Sequence, residues 1–288
     1  MKQKTVTAFC PGHISGYFRR VEGESVATTG STGAGIVISE GVMATVRPAD
    51  SLLVTVNRKD AAGNLVCYSR ASPPLEYILG KLGVIVSVTT ECRLPIGAGF
   101  GLSAAALLAT LTAVNRSTSI GLTPHEITAL AHEAEVVHRT GLGDVAACQG
   151  GGRVVRIGPG IDGAIKRYFD LPDQFYAVSF GPISTPSVLG SRKQMERVSA
   201  AFPTRPPENA MDFFKISRQF AEKSGLLTGE TGAVIQKCAD NNIPASMTML
   251  GNGVFAYGQK AREILSAYGE VYAFSLAKEG ARVVEVRS

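Results

Sequence analysis

A chain of 288 residues with 45% hydrophobic and 18% charged side chains has enough apolar surface to offset the entropy of ordering, which excludes a disordered protein. Its longest apolar-leaning run, Ser103 to Val114, is about half of the roughly 20 residues that a membrane-spanning helix needs, and the N-terminal residues lack an apolar secretory core; a membrane span is excluded and the cytoplasm is the expected compartment. The formal charge of +5 comes from 29 dispersed basic residues whose longest runs are pairs such as Arg19-Arg20, which argues against a nucleic-acid stripe and suits a small anionic substrate. Five scattered cysteines with no Cys-x-x-Cys pair predict reduced thiols and no structural zinc.

Residues Thr5 to Phe9 alternate and predict a first strand that runs into Pro11-Gly12, a turn signal. Further strands are expected at 35–38, 42–46, 52–56 and 65–68. Pro73-Pro74 opens a short helix reaching Leu79, because proline is tolerated in a first helical turn. The β-branched run from Val84 to Val88 predicts a strand ending at Glu91. After Pro95 a glycine loop leads into 103–115, rich in alanine and leucine and expected as a buried helix. Thr123-Pro124-His125-Glu126 combines an N-cap, a first-turn proline and a capping box, so a second long helix is expected to reach His138. Gly150-Gly151-Gly152 introduces a strand over 153–157 that pairs with 163–169 as a hairpin.

The pattern changes at Leu171-Pro172-Asp173, the expected boundary between an N-terminal domain of residues 1–171 and a C-terminal domain of residues 172–288. Beyond it a strand at 175–180 precedes three helices, near 187–201, 209–224 and 230–241. Strands at 246–250 and 254–257, a helix at 260–268 and strands at 271–276 and 282–286 complete the chain. Helices interleaved with antiparallel-looking strands predict an α+β protein of two lobes.

Leu94-Pro95-Ile96-Gly97-Ala98-Gly99-Phe100-Gly101-Leu102-Ser103-Ala104 carries the strongest chemical signal. Glycines at every second position let backbone approach a ligand closely. The loop opens into a helix whose N-terminus combines free N–H donors with roughly half a positive charge, a site for phosphate. Ser103 there can reach a phosphate oxygen or a magnesium ion. On these residues alone, a loop that only packs strand against helix is an equal alternative, and the pattern is neither a Walker loop nor a dinucleotide fingerprint.

The segment resembles the phosphate loop of the GHMP kinases, Pro-x-x-x-Gly-Leu-Gly-Ser-Ser-Ala. Pro95, Gly99, Gly101, Ser103 and Ala104 are in register, with Phe100 and Leu102 replacing the leucine and the first serine. Pro11-Gly12-His13 is similar to the family's Pro-Gly-Lys/Arg motif, with His13 in place of the cation, and Met249 to Phe255 is similar to its glycine-rich third motif. Pro11 to Phe18, Gly30 to Gly35, Ala134-Glu135-Val136 with Thr140 to Asp144, and Leu250-Gly251-Asn252 together resemble the archaeal branch that phosphorylates pantoate on the route to coenzyme A. The resemblance covers essentially the whole chain. It implies a two-lobed fold with a ferredoxin-like C-terminal lobe, ATP as phosphoryl donor and Mg2+ as cofactor. It also implies nucleotide binding by Pro95, Gly97, Ala98, Gly99, Phe100, Gly101, Leu102, Ser103 and Ala104. Pantoate is the implied small-molecule partner and a homodimer the expected assembly, with no nucleic-acid or membrane partner.

Phosphoryl transfer needs in-line positioning, charge neutralisation and a base for the attacking hydroxyl. Asp144 follows the glycine-flanked turn Thr140-Gly141-Leu142-Gly143 and matches the family's Gly-x-x-Asp position, so it is the expected base; an Asp after glycine is otherwise most often a helix cap. Magnesium takes oxygen ligands. Glu135 borders the helix face of Ile127, Leu130, Ala131, Ala134 and His138, whereas Glu133 points toward solvent, so Glu135 joins Ser103 as the expected metal ligand. A carboxylate substrate needs a fixed cation, for which arginine offers bidentate geometry. Arg153, Val155 and Ile157 share one strand face and Arg156 lies on the other, where the resemblance also implies an arginine. Arg156 is therefore expected to hold the substrate. His132, one turn before Glu135, Ser31, in a loop of small residues, and His13, Gly251 and Asn252 complete the expected substrate-binding set. The rivals are mevalonate or homoserine kinases of the same family, a GHMP-fold synthase, and a non-catalytic sensor, which has no need of a base.

Overall fold

In the computed structural model, which describes residues 4–183, 188 and 190–287, two long strands form the spine. β1 (Thr5–Val21) and β2 (Gly30–Pro48) pair antiparallel along their length. Pro11-Gly12, expected as a turn, lies inside β1 at a shift of register. Proline has no N–H to donate and so fits a bulge. A Cβ on Gly12 would lie 2.6 Å from the Phe100 carbonyl oxygen, so the pair bends the strand against the glycine loop instead of reversing the chain. The small-residue stretch around Ser31, expected as a loop, forms the first part of β2.

β5 (Val86–Cys92) pairs with the C-terminal half of β2; β3 (Leu53–Lys59) lies parallel to β5, and β4 (Leu65–Ser69) forms a hairpin with β3. β6 (Arg153–Arg156) pairs with the start of β2 and with β7 (Ile165–Tyr168), the hairpin expected from the sequence. Four helices belong to this part of the chain: α1 (Pro73–Lys81), α2 (Leu102–Thr118), α3 (Pro124–His138) and α4 (Asp144–Cys148). α2 packs on β1 and β2 and buries Leu107, Leu108 and Leu111, each contributing about 1.5–3 kcal/mol. The expected capping box opens α3: Glu126 N–H donates to the Thr123 hydroxyl and Thr123 N–H to the Glu126 carboxylate, a cap that contributes about 1 kcal/mol.

The second lobe contains β8 (Phe175–Pro182), α5 (Arg192–Ala201), α6 (Ala210–Ser224), α7 (Gly229–Asp240), β9 (Ala245–Met247), β10 (Gly251–Tyr257), α8 (Gln259–Leu265) and β11 (Val271–Phe274). Its antiparallel sheet runs β11-β8-β10-β9, the split arrangement of a ferredoxin-like lobe. The expected start of α5 at Ser187 lies outside the described residues. β12 (Arg282–Arg287) returns to the first sheet and pairs with β1, so the segment 172–288 gives its last strand to the other lobe. The lobes also share a core: the Tyr17 ring of β1 meets Phe202 and Phe220 at 5.5 and 6.2 Å between centroids. Among the described residues no helix is long and apolar enough to cross a membrane.

Candidate active site

The glycine loop is gripped from both lobes. His13 N–H donates to the Phe100 carbonyl at 2.9 Å, and Ile183 N–H, from the second lobe, donates to the Gly97 carbonyl at 3.1 Å. Gly97, Gly99 and Gly101 have φ of 78°, 81° and 61°, the left-handed region that favours glycine. The third motif lies against the loop: a Cβ on Gly251 would sit 2.1 Å from the Ala98 carbonyl. All three sequence motifs therefore meet at one place. α2 starts on Gly101 with no side-chain cap, which leaves its first N–H groups for an anion. Gly251→Ala must push the loop back, and we expect the KM for ATP to rise about tenfold, the scale of one charge-assisted hydrogen bond. An ATP KM equal to wild type would remove the clasp from the account.

A cleft of about 460 Å³ opens beside the loop. Gly97, Gly99, Phe100, Gly101, Leu102 and Ser103 line it, whereas Pro95, Ala98 and Ala104 do not. Ser31, Thr140, Asp144 and Arg156 form one wall, while Val56, Tyr68, Pro74, Leu75 and Ile96 make an apolar end.

Asp144 begins α4, and its carboxylate is 22% exposed toward the cleft. His13 Nδ1 lies 2.6 Å from Asp144 Oδ1, and His13 Nε2 lies 3.5 Å from Arg156 Nη1. A guanidinium can only donate, so Nε2 carries the lone pair and Nδ1–H donates to Asp144. Burial pushes the His13 pKa down, in keeping with a neutral ring. Burial also works against the charged form of Asp144, yet the hydrogen bond from His13 and the nearby Arg156 charge hold the carboxyl below its usual range. Gly143 brings Ser31 and Arg156 together: a Cβ there would lie 2.4 Å from Ser31 Oγ and 2.8 Å from Arg156 Nε. Arg156 is 3% exposed, and its Nε has no hydrogen-bond partner among the described residues.

Other expected residues sit differently. Glu135 is fully buried behind Gly141 and Asp144; Oε2 accepts from Val145 N–H at 3.4 Å and Oε1 has no partner among the described residues. Burial first, and then the Asp144 charge, push its pKa well above the usual carboxylate range. Glu133 pairs with Lys81 at 2.5 Å on the surface, as its helix face implied. His132 is not on the cleft wall: its Nε2 donates to the Thr29 and Val26 carbonyls at 2.8 and 3.2 Å, tying α3 to the chain before β2. Asn252 also turns away, accepting at Oδ1 from the Thr228 hydroxyl at the start of α7. Arg153 is spent on a bidentate bridge to Asp170, with the guanidinium 4.5 Å from the Tyr168 ring centroid. Sequence reasoning missed Ser15, Thr90 and Ile183 on the wall; only Ser15 had a signal, two residues past His13 on one strand.

The split second lobe and a glycine loop opening into an uncapped helix, beside a buried His-Asp-Arg cluster, define a small-molecule kinase of the GHMP class. Residues 71–152 match the family model described as the GHMP kinases N terminal domain. The chain is 45% identical to the pantoate kinase of Methanospirillum hungatei, covering 99% of this chain and 98% of that one. It is 34% identical to the pantoate kinase of Thermococcus kodakarensis, covering 91% and 92% of the two chains. A solved structure described as a phosphotransferase related to the CoA biosynthesis pathway is 30% identical, with a TM-score of 0.77, covering 97% of this chain and 98% of that one. The chain belongs to the pantoate kinase family.

Proposed function

We propose that this protein transfers the γ-phosphoryl group of ATP to the 4-hydroxyl of pantoate, with Asp144 as base and Arg156 as carboxylate anchor. One observation carries the reading: a buried arginine with no carboxylate bridge and a partly exposed aspartate share a cleft wall beside the glycine loop. The uncapped α2 N-terminus receives the triphosphate, and the apolar end beside Pro74 and Leu75 suits the nucleoside. Arg156 and Ser31 hold the pantoate carboxylate, which fixes the hydroxyl against Asp144. His13 occupies Oδ1 of Asp144 and leaves Oδ2 for the substrate. As the alcohol oxygen bonds to the γ-phosphorus, its proton passes to Asp144 and the bond to the β-phosphate oxygen breaks, releasing ADP. The demand on the protein is mainly positioning, so a base with a low pKa is adequate.

The donor set fits a divalent cation. Ser103 on the cleft wall and Glu135 behind it would be the oxygens that hold it, and Glu135 Oε1 is buried without a partner among the described residues. A magnesium ion held there would supply positive charge to offset that of the triphosphate. Glu135→Gln is expected to lose at least about tenfold in kcat, while Glu133→Gln, at a carboxylate that accepts from Lys81 and Tyr77 on the surface, stays near wild type. Equal losses would show that Glu135 serves the fold alone.

Rates with Mg-ATP and pantoate, pantothenate, mevalonate or homoserine test the substrate. Pantoate is expected to give the highest kcat/KM; pantothenate, whose corresponding carboxylate is an amide, forfeits the Arg156 interaction. Preference for mevalonate or homoserine would replace this reading.

A further inference from the structure

α4 is only five residues long and begins at Asp144, so its far end has carbonyls with no helical partner. Arg167 of β7 satisfies them. Its Nη1 donates to the Ala147 and Gly151 carbonyls, both at 2.9 Å, and its Nη2 to the Ala146 carbonyl at 3.2 Å. The guanidinium lies flat against Gly150, where a Cβ would stand 3.1 Å from Cζ. A cation at this end also complements the helix dipole. Across the same hairpin, β6 carries Arg156 into the cleft, and Arg167 stands opposite Val154. One two-stranded unit thus holds the cation of the cleft wall on one strand and the clamp of the aspartate's helix on the other.

We infer that Arg167 is a positioning residue for the phosphoryl transfer: by fixing α4 to the β6–β7 hairpin it holds Asp144 and Arg156 in one frame, so that base and substrate anchor keep their spacing. This inference rests on Asp144 acting as the base. Among the described residues, the hydrogen bonds of Arg167 go to Ala146, Ala147 and Gly151 and none to the glycine loop, so its loss should spare nucleotide binding. Lysine offers a single ammonium where the guanidinium fork reaches three carbonyls, so it should restore the clamp only in part.

The test is steady-state kinetics on Arg167→Ala and Arg167→Lys, with the exposed neighbour Lys166→Ala as control and circular dichroism to confirm folding. Misplacing the base predicts that Arg167→Ala loses about 10- to 100-fold in kcat while the KM for ATP stays within about twofold, with Arg167→Lys intermediate and Lys166→Ala unchanged. A folded Arg167→Ala with wild-type kcat overturns the inference, as does an equal loss in Arg167→Lys and Arg167→Ala. If Arg167→Ala does not fold, Arg167→Lys decides: a several-fold drop in kcat at constant ATP KM supports the clamp, and wild-type kcat refutes it. Asp144→Asn, measured in parallel, separates the two readings. An active Asp144→Asn removes the base assignment; an inactive one beside a wild-type-like Arg167→Ala removes only the clamp.

Discussion

Asp144→Asn is expected to fold and to lose at least about 100-fold in kcat, the lower end of what a positioned base contributes. The amide keeps the size of the carboxylate and an oxygen that can accept from His13 Nδ1–H, so the 2.6 Å contact has a substitute. What it cannot do is take a proton. The KM for ATP should change little, because the proposed triphosphate site lies on the glycine loop and α2. The wild-type carboxylate is held in its ionised form, since the hydrogen bond from His13 and the Arg156 charge outweigh the effect of burial. Turnover within a few-fold of wild type would assign the base elsewhere.

Arg156→Ala should raise the KM for pantoate about 10- to 100-fold for each charge-assisted hydrogen bond lost, at roughly 1.5–3 kcal/mol per bond, and leave the ATP KM nearly unchanged. Arg156 is the one lysine or arginine among the described residues that line the cleft. It lies 3.5 Å from His13 Nε2 and feels the Asp144 charge, but it forms no direct ion pair among the described residues. Arg153→Ala provides the contrast. Its guanidinium already bridges Asp170 at 2.6 and 3.0 Å, so its removal should lower Tm and spare the pantoate KM. A wild-type pantoate KM in Arg156→Ala would place the carboxylate elsewhere, and a loss confined to ATP would move the residue to the nucleotide half of the cleft.

What the sequence showed and what it hid divide along physical lines. The α3 capping box and the alanine-leucine helix after the glycine loop are set by neighbours within four residues, and both stand as read. Arg156 was separable from Arg153 by the two-residue period of a strand, although Arg153 itself is fully buried through its bridge to Asp170. Pro11-Gly12 misled because a turn dipeptide also serves where a strand must bend and admit another backbone, and the partner, Phe100, is distant in the chain. α4 is too short to show a helical period. Asp144 starts the helix but makes no side-chain cap, and it faces the cleft instead. His132 and Asn252 lie next to informative residues, but side-chain direction is decided by partners, Thr29 and Thr228, that no local pattern reveals.

Phosphorus NMR of a reaction containing the protein, Mg-ATP and pantoate follows both products of the transfer at once. ADP and, in equal amount, a phosphomonoester coupled to the methylene protons of the pantoate 4-position are expected, both abolished in Asp144→Asn. ADP formed without a phosphorylated pantoate, or a phosphoryl group attached at another position, would contradict the proposed transfer.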